Sequence, residues 1–293
     1  MAKQEYTFTV EAMAADLRSL GLEQGDTVVM HSNASVGPAR QMVKAPDTGM
    51  RWVLDALLEV IGPEGTLAVP TFTKCFKPRG GGPSGEVWNP EKTPSRVGSL
   101  TNYVLKQPGR SRSDHPTHPM AAIGARAEEF CAGHSWRDGA STFDRGGPWG
   151  KLVDWDGKIL WLGTDMRTQT AVHAVEDWMQ LPYMSTCVAL VEDNGETREI
   201  EVTMSPAGHR DFYKQDSKVA KAWDAAGLYT KGKVCKADSQ LMSARTFIDW
   251  LWNKHIEDPA IILDDDPEHQ WSVKAIRMNK EHLANFKGEW KTW

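Results

Sequence analysis

The sequence predicts an α/β protein: a central sheet, mostly parallel or mixed, flanked by helices, with a smaller β-hairpin plus helical subdomain in its C-terminal part. Three observations carry this. Strand, helix and strand patterns follow one another between Asp26 and Pro70, an order that favours a parallel crossover. A further strand pattern, Lys158–Gly163, leads through a polar turn into a helical pattern. Beyond Pro182 the texture changes to alternating strands about Asp193-Asn194-Gly195, a hairpin signal.

In chain order, Val10, Met13, Ala14 and Leu17 recur at helical spacing after Thr9, a natural N-cap, with Gly21 past the end. Asp26–His31 reads as a buried strand. Met50–Ile61 reads as a helix with Trp52, Leu54, Leu57, Leu58 and Ile61 on its apolar face, and Thr66–Pro70 as the next strand. Lys77–Gly85 carries too much glycine and proline for regular structure. Helices are expected over 95–105, 170–180, 212–226 and 238–254, and hairpin strands over Thr186–Val191 and Thr197–Thr203. The segment 264–293 is polar, contains Trp271, Trp290 and Trp293, and has no assignable element.

Composition bounds the function. Of 293 residues, 40% are hydrophobic and 25% charged, enough to bury a core and unlike a disordered, collagenous or coiled-coil chain. With 34 basic against 39 acidic residues, the net charge of −5 gives no footing for general nucleic-acid binding. No apolar run suits a secretory leader or a membrane span of about 18 to 20 residues. Cys75, Cys131, Cys187 and Cys235 are widely spaced, without a CxxC pair, so a reduced, cytoplasmic protein is expected. Tryptophan is abundant, 13 against 5 tyrosines and 8 phenylalanines.

Three segments carry chemistry. In Thr170-Ala-Val-His-Ala-Val-Glu176, residues 170, 173 and 176 share a helix face. His173 with Glu176 one turn on makes a workable general base, and Thr170 adds a hydroxyl and an N-cap. The same spacing also suits an ordinary histidine–glutamate pair at a helix start. In Asp114-His-Pro-Thr-His118, two histidines three apart could ligate a metal. Pro116 argues against a helical pair, and no cysteine or carboxylate cluster joins it, so no metal is expected and a turn or pocket wall is the alternative. His31-Ser-Asn-Ala-Ser-Val-Gly37 is a small polar loop after a strand; such loops cradle phosphates through backbone N–H groups, or simply connect elements. A GxSxG elbow is absent from the sequence.

Taken together, these blocks resemble the aminoglycoside 3-N-acetyltransferase family, antibiotic acetyltransferases distinct in fold from the GNAT enzymes. The matching blocks run in the family's order: His31–Gly37, Leu54–Thr73 ending in Pro-Thr-Phe-Thr, Thr93-Pro-Ser-Arg-Val-Gly98, His115–His118, Gly147-Pro-Trp-Gly150, and Leu162 to Glu176. Ala244–Asp249 and Asp258–Leu263 resemble its terminal helix and exit. The resemblance implies one domain over 1–263, with about 186–240 as a subdomain and 264–293 as a Trp-containing polar tail. It implies acetyl transfer from acetyl-CoA to a primary amine of an aminoglycoside or similar small molecule. His173 would be the general base, Glu176 its orienting partner or amine ligand, and Thr170 a hydrogen bonder to the thioester. Coenzyme A would lie against His31, Ser32, Ser35, Val36, Gly37, Thr71, Thr93, Ser95 and Arg96. The acceptor would meet Asp165, Asp177, Trp178, Trp88, His115 and His118. A homodimer is an allowed assembly; nucleic acid and membrane are not expected partners. An amide or ester hydrolase on the same scaffold is the alternative.

Departures from the family pattern bear on the acceptor. Asn33, Pro119 and Gln169 stand where the family has Ser, Ser and Asn, and loop 38–48 lacks the usual paired glycines. Arg40, Lys44, Lys74, Lys77, Arg79 and Arg167 are expected near the cleft rim. They would suit an amine that also carries an anionic group, or serve the phosphates of coenzyme A. Trp88, Trp136, Trp149 and Trp178 would either form an aromatic acceptor wall or pack the interior.

Overall fold

The computed structural model describes residues 9–33, 46–77, 84–205 and 216–292. Helix α1 (Val10–Leu20) starts where Thr9 accepts a hydrogen bond from Ala12 N at 3.1 Å and ends at Gly21, φ 113°. Strand β1 (Thr27–Ser32), helix α2 (Pro46–Ile61) and strand β2 (Thr66–Pro70) follow. They are the expected crossover unit, and β1 pairs parallel with β2 and with β6 (Lys158–Leu162).

Beyond this parallel centre the sheet is antiparallel. On one side β2 pairs with β5 (Met120–Gly124) and β5 with the short β4 (Ser111–Arg112). On the other side β6 pairs with β10 (Ala237–Ser243), and β10 with β9 (Thr230–Val234). The seven-stranded order β4-β5-β2-β1-β6-β10-β9 is therefore mixed rather than mostly parallel. Only the strands reached through helical crossovers run parallel; β9 and β10 are joined by a two-residue turn, which permits only an antiparallel pair.

Alternation within the strands builds two hydrophobic layers. Val28, Met30, Leu160 and Leu162 face α1 and α2, where Met13, Leu17, Leu54 and Leu57 pack against them. Val29, Ile159 and Trp161 face the opposite helical layer. That layer holds α4 (Ala127–Cys131), α5 (Pro148–Asp154), α6 (Val172–Trp178), α7 (Lys218–Ala226) and α8 (Ala244–Glu257). The molecule is thus a helix–sheet–helix sandwich with both faces of the sheet buried.

A second, three-stranded sheet joins β3 (Val87–Trp88) to the hairpin β7 (Ser185–Asp193) and β8 (Glu196–Met204). Its turn residues, Asn194 and Gly195, both have positive φ (53° and 85°), as a tight hairpin of this type needs.

Three expectations are corrected. The helix expected over 95–105 is only α3 (Ser99–Val104), because Ser95 is engaged upstream by Thr101 Oγ1 at 2.7 Å and Asn102 Oδ1 accepts from Ser95 N. The segment expected as a helix over 238–254 is split, its first residues forming β10 against β6. Ser243 caps the helix that remains, accepting from Thr246 N. Of the helix expected over 212–226, residues 218–226 form α7, and 212–215 lie outside the described residues. The polar segment after 263 contains α9 (Gln270–Leu283), with Ala275, Leu283 and Trp290 in the main hydrophobic layer.

Candidate active site

The carboxyl ends of the parallel strands converge at Ser32 and Leu162, which are paired in register. This edge is where open α/β sheets place their ligand sites. From β6 the chain passes a short 3-10 turn, Met166–Thr168, and enters α6.

On α6 the i,i+3 spacing acts as expected. His173 Nδ1 lies 2.6 Å from Glu176 Oε2, with Glu176 fully buried and His173 8% exposed. Opposite a carboxylate, Nδ1 is the donor, so Nε2 is the nitrogen that must take a proton in any base role. Glu176 Oε1 accepts a second hydrogen bond, from the Tyr183 hydroxyl at 2.6 Å. Two charge-assisted bonds compensate for burying this carboxylate.

Tyr183 gave no signal in the sequence, because its approach depends on how α6 ends. Gln180 adopts φ 50°, Leu181 N donates to Glu176 O at 3.1 Å, and Gln180 N donates to Asp177 O at 2.9 Å. This is a Schellman reversal with glutamine in the left-handed position. It turns the chain back so that Tyr183 meets the carboxylate of the helix it has just left.

Thr170 is not the helix cap. The cap position is Ala171, whose N–H donates to Gln169 Oε1 at 3.1 Å. Gln169, where the family has Asn, therefore does the local capping. No hydrogen bond of the Thr170 hydroxyl occurs among the described residues.

Phe143 walls the imidazole, its ring centroid 5.4 Å from that of His173 and 5.2 Å from that of His118. His118 also meets Phe72 edge-on at 4.3 Å. Two residues expected to meet the acceptor hold this wall instead. Asp177 Oδ2 accepts from Ser141 Oγ at 2.5 Å and Phe143 N at 3.2 Å, and Trp178 Nε1 donates to Phe143 O at 2.8 Å.

His115 is fully buried, bonded to Thr117 Oγ1 through Nδ1 at 3.1 Å and stacked on His134 at 4.4 Å. Burial drives its pKa well below the ordinary 6.5, and the neighbouring His134 adds to this. It faces the interior, while His118 faces the aromatic wall. Among the described residues no group of three or more His, Cys, Asp or Glu side chains converges as a metal site would.

The residues expected to hold coenzyme A divide. His31 is 6% exposed at the end of β1, stacked on Trp149 at 6.2 Å, with burial lowering its pKa to about 4. Ser32 is half-buried beside it; Ser35, Val36 and Gly37 lie outside the described residues, as do Arg40, Lys44 and Arg79. The Gly147-Pro-Trp-Gly150 block that carries Trp149 has a steric reason for its last glycine, where a Cβ would come 1.7 Å from Arg145 O.

Thr71, Thr93 and Ser95 are buried, and their hydroxyls are used internally. Thr71 Oγ1 donates to Pro119 O at 3.0 Å, Thr93 Oγ1 accepts from Asn89 N at 2.9 Å, and Ser95 Oγ accepts from Thr101. Arg96 is exposed and pairs with Glu86 at 2.8 Å. Arg112, which the sequence gave no reason to single out, organises this corner. Its guanidinium reaches Thr71 Oγ1, Thr71 O, Pro90 O and Thr93 O and lies over the Trp88 ring at 4.6 Å.

Three of the four tryptophans expected at the cleft pack inward: Trp88, Trp149 and Trp178 are between 1% and 5% exposed, and the indoles of Trp88 and Trp178 donate to Asp114 and to Phe143 O, while Trp136 is half-buried under the Arg137 guanidinium at 4.2 Å. Asp165 is half-buried and clamped by Arg167, whose Nη2 lies 2.7 Å from Oδ2.

The chain is a three-layer α/β sandwich that carries a buried histidine–glutamate pair at the carboxyl edge of its sheet. The family follows from comparison. The model of the aminoglycoside 3-N-acetyltransferase family matches residues 39–254, and the chain belongs to that family of acyltransferases. It is 28% identical to aminoglycoside N(3)-acetyltransferase VII of Streptomyces paromomycinus over 262 residues, 81% of this chain and 88% of that protein. The crystal structure of aminoglycoside acetyltransferase AAC(3)-Xa superposes with a TM-score of 0.69 at 26% identity, covering 88% of this chain and 95% of that one. The AAC-IIIb binary complex with CoASH superposes at 0.71 and 21% identity, covering 88% and 98%, a likeness of fold. Among the described residues no helix is long and apolar enough to cross a membrane.

Proposed function

We propose that this protein transfers an acetyl group from acetyl-CoA to a primary amine of an aminoglycoside or a similar small amine, with His173 as general base and direct transfer between the two substrates. The observation that supports it is the 2.6 Å contact of His173 Nδ1 with the buried Glu176 carboxylate. That contact fixes the tautomer that leaves Nε2 to take the proton of the attacking amine. As the amine nitrogen bonds to the acyl carbon, the carbon–sulfur bond breaks and the thiolate leaves. The proton taken up by Nε2 then passes to the departing thiolate. The Thr170 hydroxyl, uncommitted to capping, can donate to the thioester oxygen or sulfur as charge develops. Direct transfer needs no enzyme nucleophile, and a deprotonated amine is already a competent one.

Membership in an acetyltransferase family favours this reading, and the hydrolase alternative finds no support among the relatives. Coenzyme A would lie along the carboxyl edge near His31 and Ser32, the edge where open α/β sheets take up their ligands. The clamped Asp165 and packed Trp178 leave the acceptor's contacts to other groups, among them His118 and Phe143 beside the imidazole.

The test is thiol release from acetyl-CoA across a panel of aminoglycosides and simpler diamines. Amine-dependent release is expected, with His173→Ala lowering turnover by about two to four orders of magnitude. Release that ignores the amine, or an unimpaired His173→Ala enzyme, would overturn the proposal.

A further inference from the structure

We infer that Tyr183 is a positioning residue for the reaction, holding Glu176 through its second carboxylate oxygen while the C-terminal helix α9 holds Tyr183 in turn. This deepens the proposed function and rests on His173 being the base.

Glu176 is fully buried and uses both oxygens: Oε2 toward His173 Nδ1 and Oε1 toward the Tyr183 hydroxyl, each at 2.6 Å. A carboxylate held at one oxygen can swing about its last torsion, and the imidazole would swing with it. Held at both, it presents a fixed acceptor to Nδ1. The Tyr183 ring is 7% exposed, and the Trp271 ring on α9 meets it edge-to-face, centroids 5.9 Å apart at 63°. The same helix approaches the end of α6 a second time, where His282 Nε2 contacts Met179 O at 2.9 Å. Residues 270–283 lie beyond the part of the chain that the family model matches. The brace on the dyad thus comes from a segment distant along the chain from the core blocks.

A phenol that donates to Glu176 favours its ionised form. Removing it raises the proton affinity of the histidine–glutamate pair, so the acid limb of kcat/KM should move to higher pH. Other titratable groups that interact with Glu176 among the described residues are Asp177 on α6 and His255 on α8, and His282 on α9 contacts the end of the same helix at Met179 O.

The experiment compares pH profiles of kcat and KM for the wild type, Tyr183→Phe, Trp271→Ala, Trp271→Phe and His173→Ala, with melting temperatures recorded for each. For Tyr183→Phe, kcat should fall about 3- to 30-fold with KM for acetyl-CoA held within about twofold, and the acid limb should rise by about half to one pH unit. Trp271→Ala should move both readouts the same way by less, and Trp271→Phe should restore most of the difference. An inactive His173→Ala beside a Tyr183→Phe enzyme of wild-type kcat and pH profile would overturn the role of Tyr183 alone. An active His173→Ala would remove the base, and this inference with it. If Tyr183→Phe does not fold, the two Trp271 variants decide: equal pH profiles for Ala and Phe overturn the inference.

Discussion

The Asp177 carboxylate accepts the Ser141 hydroxyl at 2.5 Å, one residue along the helix from the glutamate that orients His173. Adjacent acidic residues on α6 thus do different work: Glu176 serves the imidazole, and Asp177 ties the Phe143 wall to the same helix.

Burial raises the Asp177 pKa from 3.8 to about 6, although bonds from Ser141 and Phe143 pull the other way. A carboxyl whose folded pKa is raised binds its proton more tightly when folded. Its stabilising share is present below about pH 4 and is lost as pH rises through about 6. Asp177→Asn keeps an oxygen acceptor and removes the charge. The variant should melt about 2 to 6 °C above the wild type at pH 7.5 and converge with it near pH 4, followed by calorimetry.

Four histidines act in the opposite sense. Burial lowers His31, His134 and His255 to about 4 and His115 further, all from an ordinary 6.5. Unfolding lets each take up a proton below that value, so stability should fall as pH drops from about 6.5 toward 4. Urea midpoints across this window should show a net uptake on the order of three protons once Asp177 is set against them. A flat midpoint between pH 6.5 and 4.5 would contradict the buried neutral imidazoles.

Gln180 is exposed and carries φ 50° in the reversal that ends α6. Glycine occupies that region without the Cβ penalty. Gln180→Gly should raise stability by about 0.5 to 1 kcal/mol in denaturant titration and leave kcat unaltered, since the backbone path to Tyr183 is preserved.

Thr170→Val removes a hydroxyl bonded to no described residue and keeps the side-chain volume. Its melting temperature should stay within about 2 °C of the wild type, while kcat falls about 10- to 1,000-fold with KM little changed. A fall in KM affinity without a fall in kcat would assign the hydroxyl to ground-state binding.

Much of the fold is legible along the chain because it depends on local rules. Thr9 and Gly21 bound α1 by capping chemistry, Asn194-Gly195 turns the β7–β8 hairpin, and the 26–70 unit lies on the parallel centre of the sheet. Residues 237–243 mislead because their strand state comes from pairing with β6, a partner about 80 residues away, and not from their own periodicity.

The sequence by itself determined the family blocks and the His173–Glu176 pair, since an i,i+3 spacing on a helix is a local fact. Tertiary structure decided the rest of the site. It consumed the hydroxyls of Thr71, Thr93 and Ser95 in internal bonds and turned Trp88 and Trp178 inward. It set Phe143 between two histidines 55 residues apart and returned Tyr183 to Glu176. Residue type and spacing say what a side chain can donate or accept; which neighbour takes up that capacity depends on contacts between segments distant along the chain, and packing fixes those.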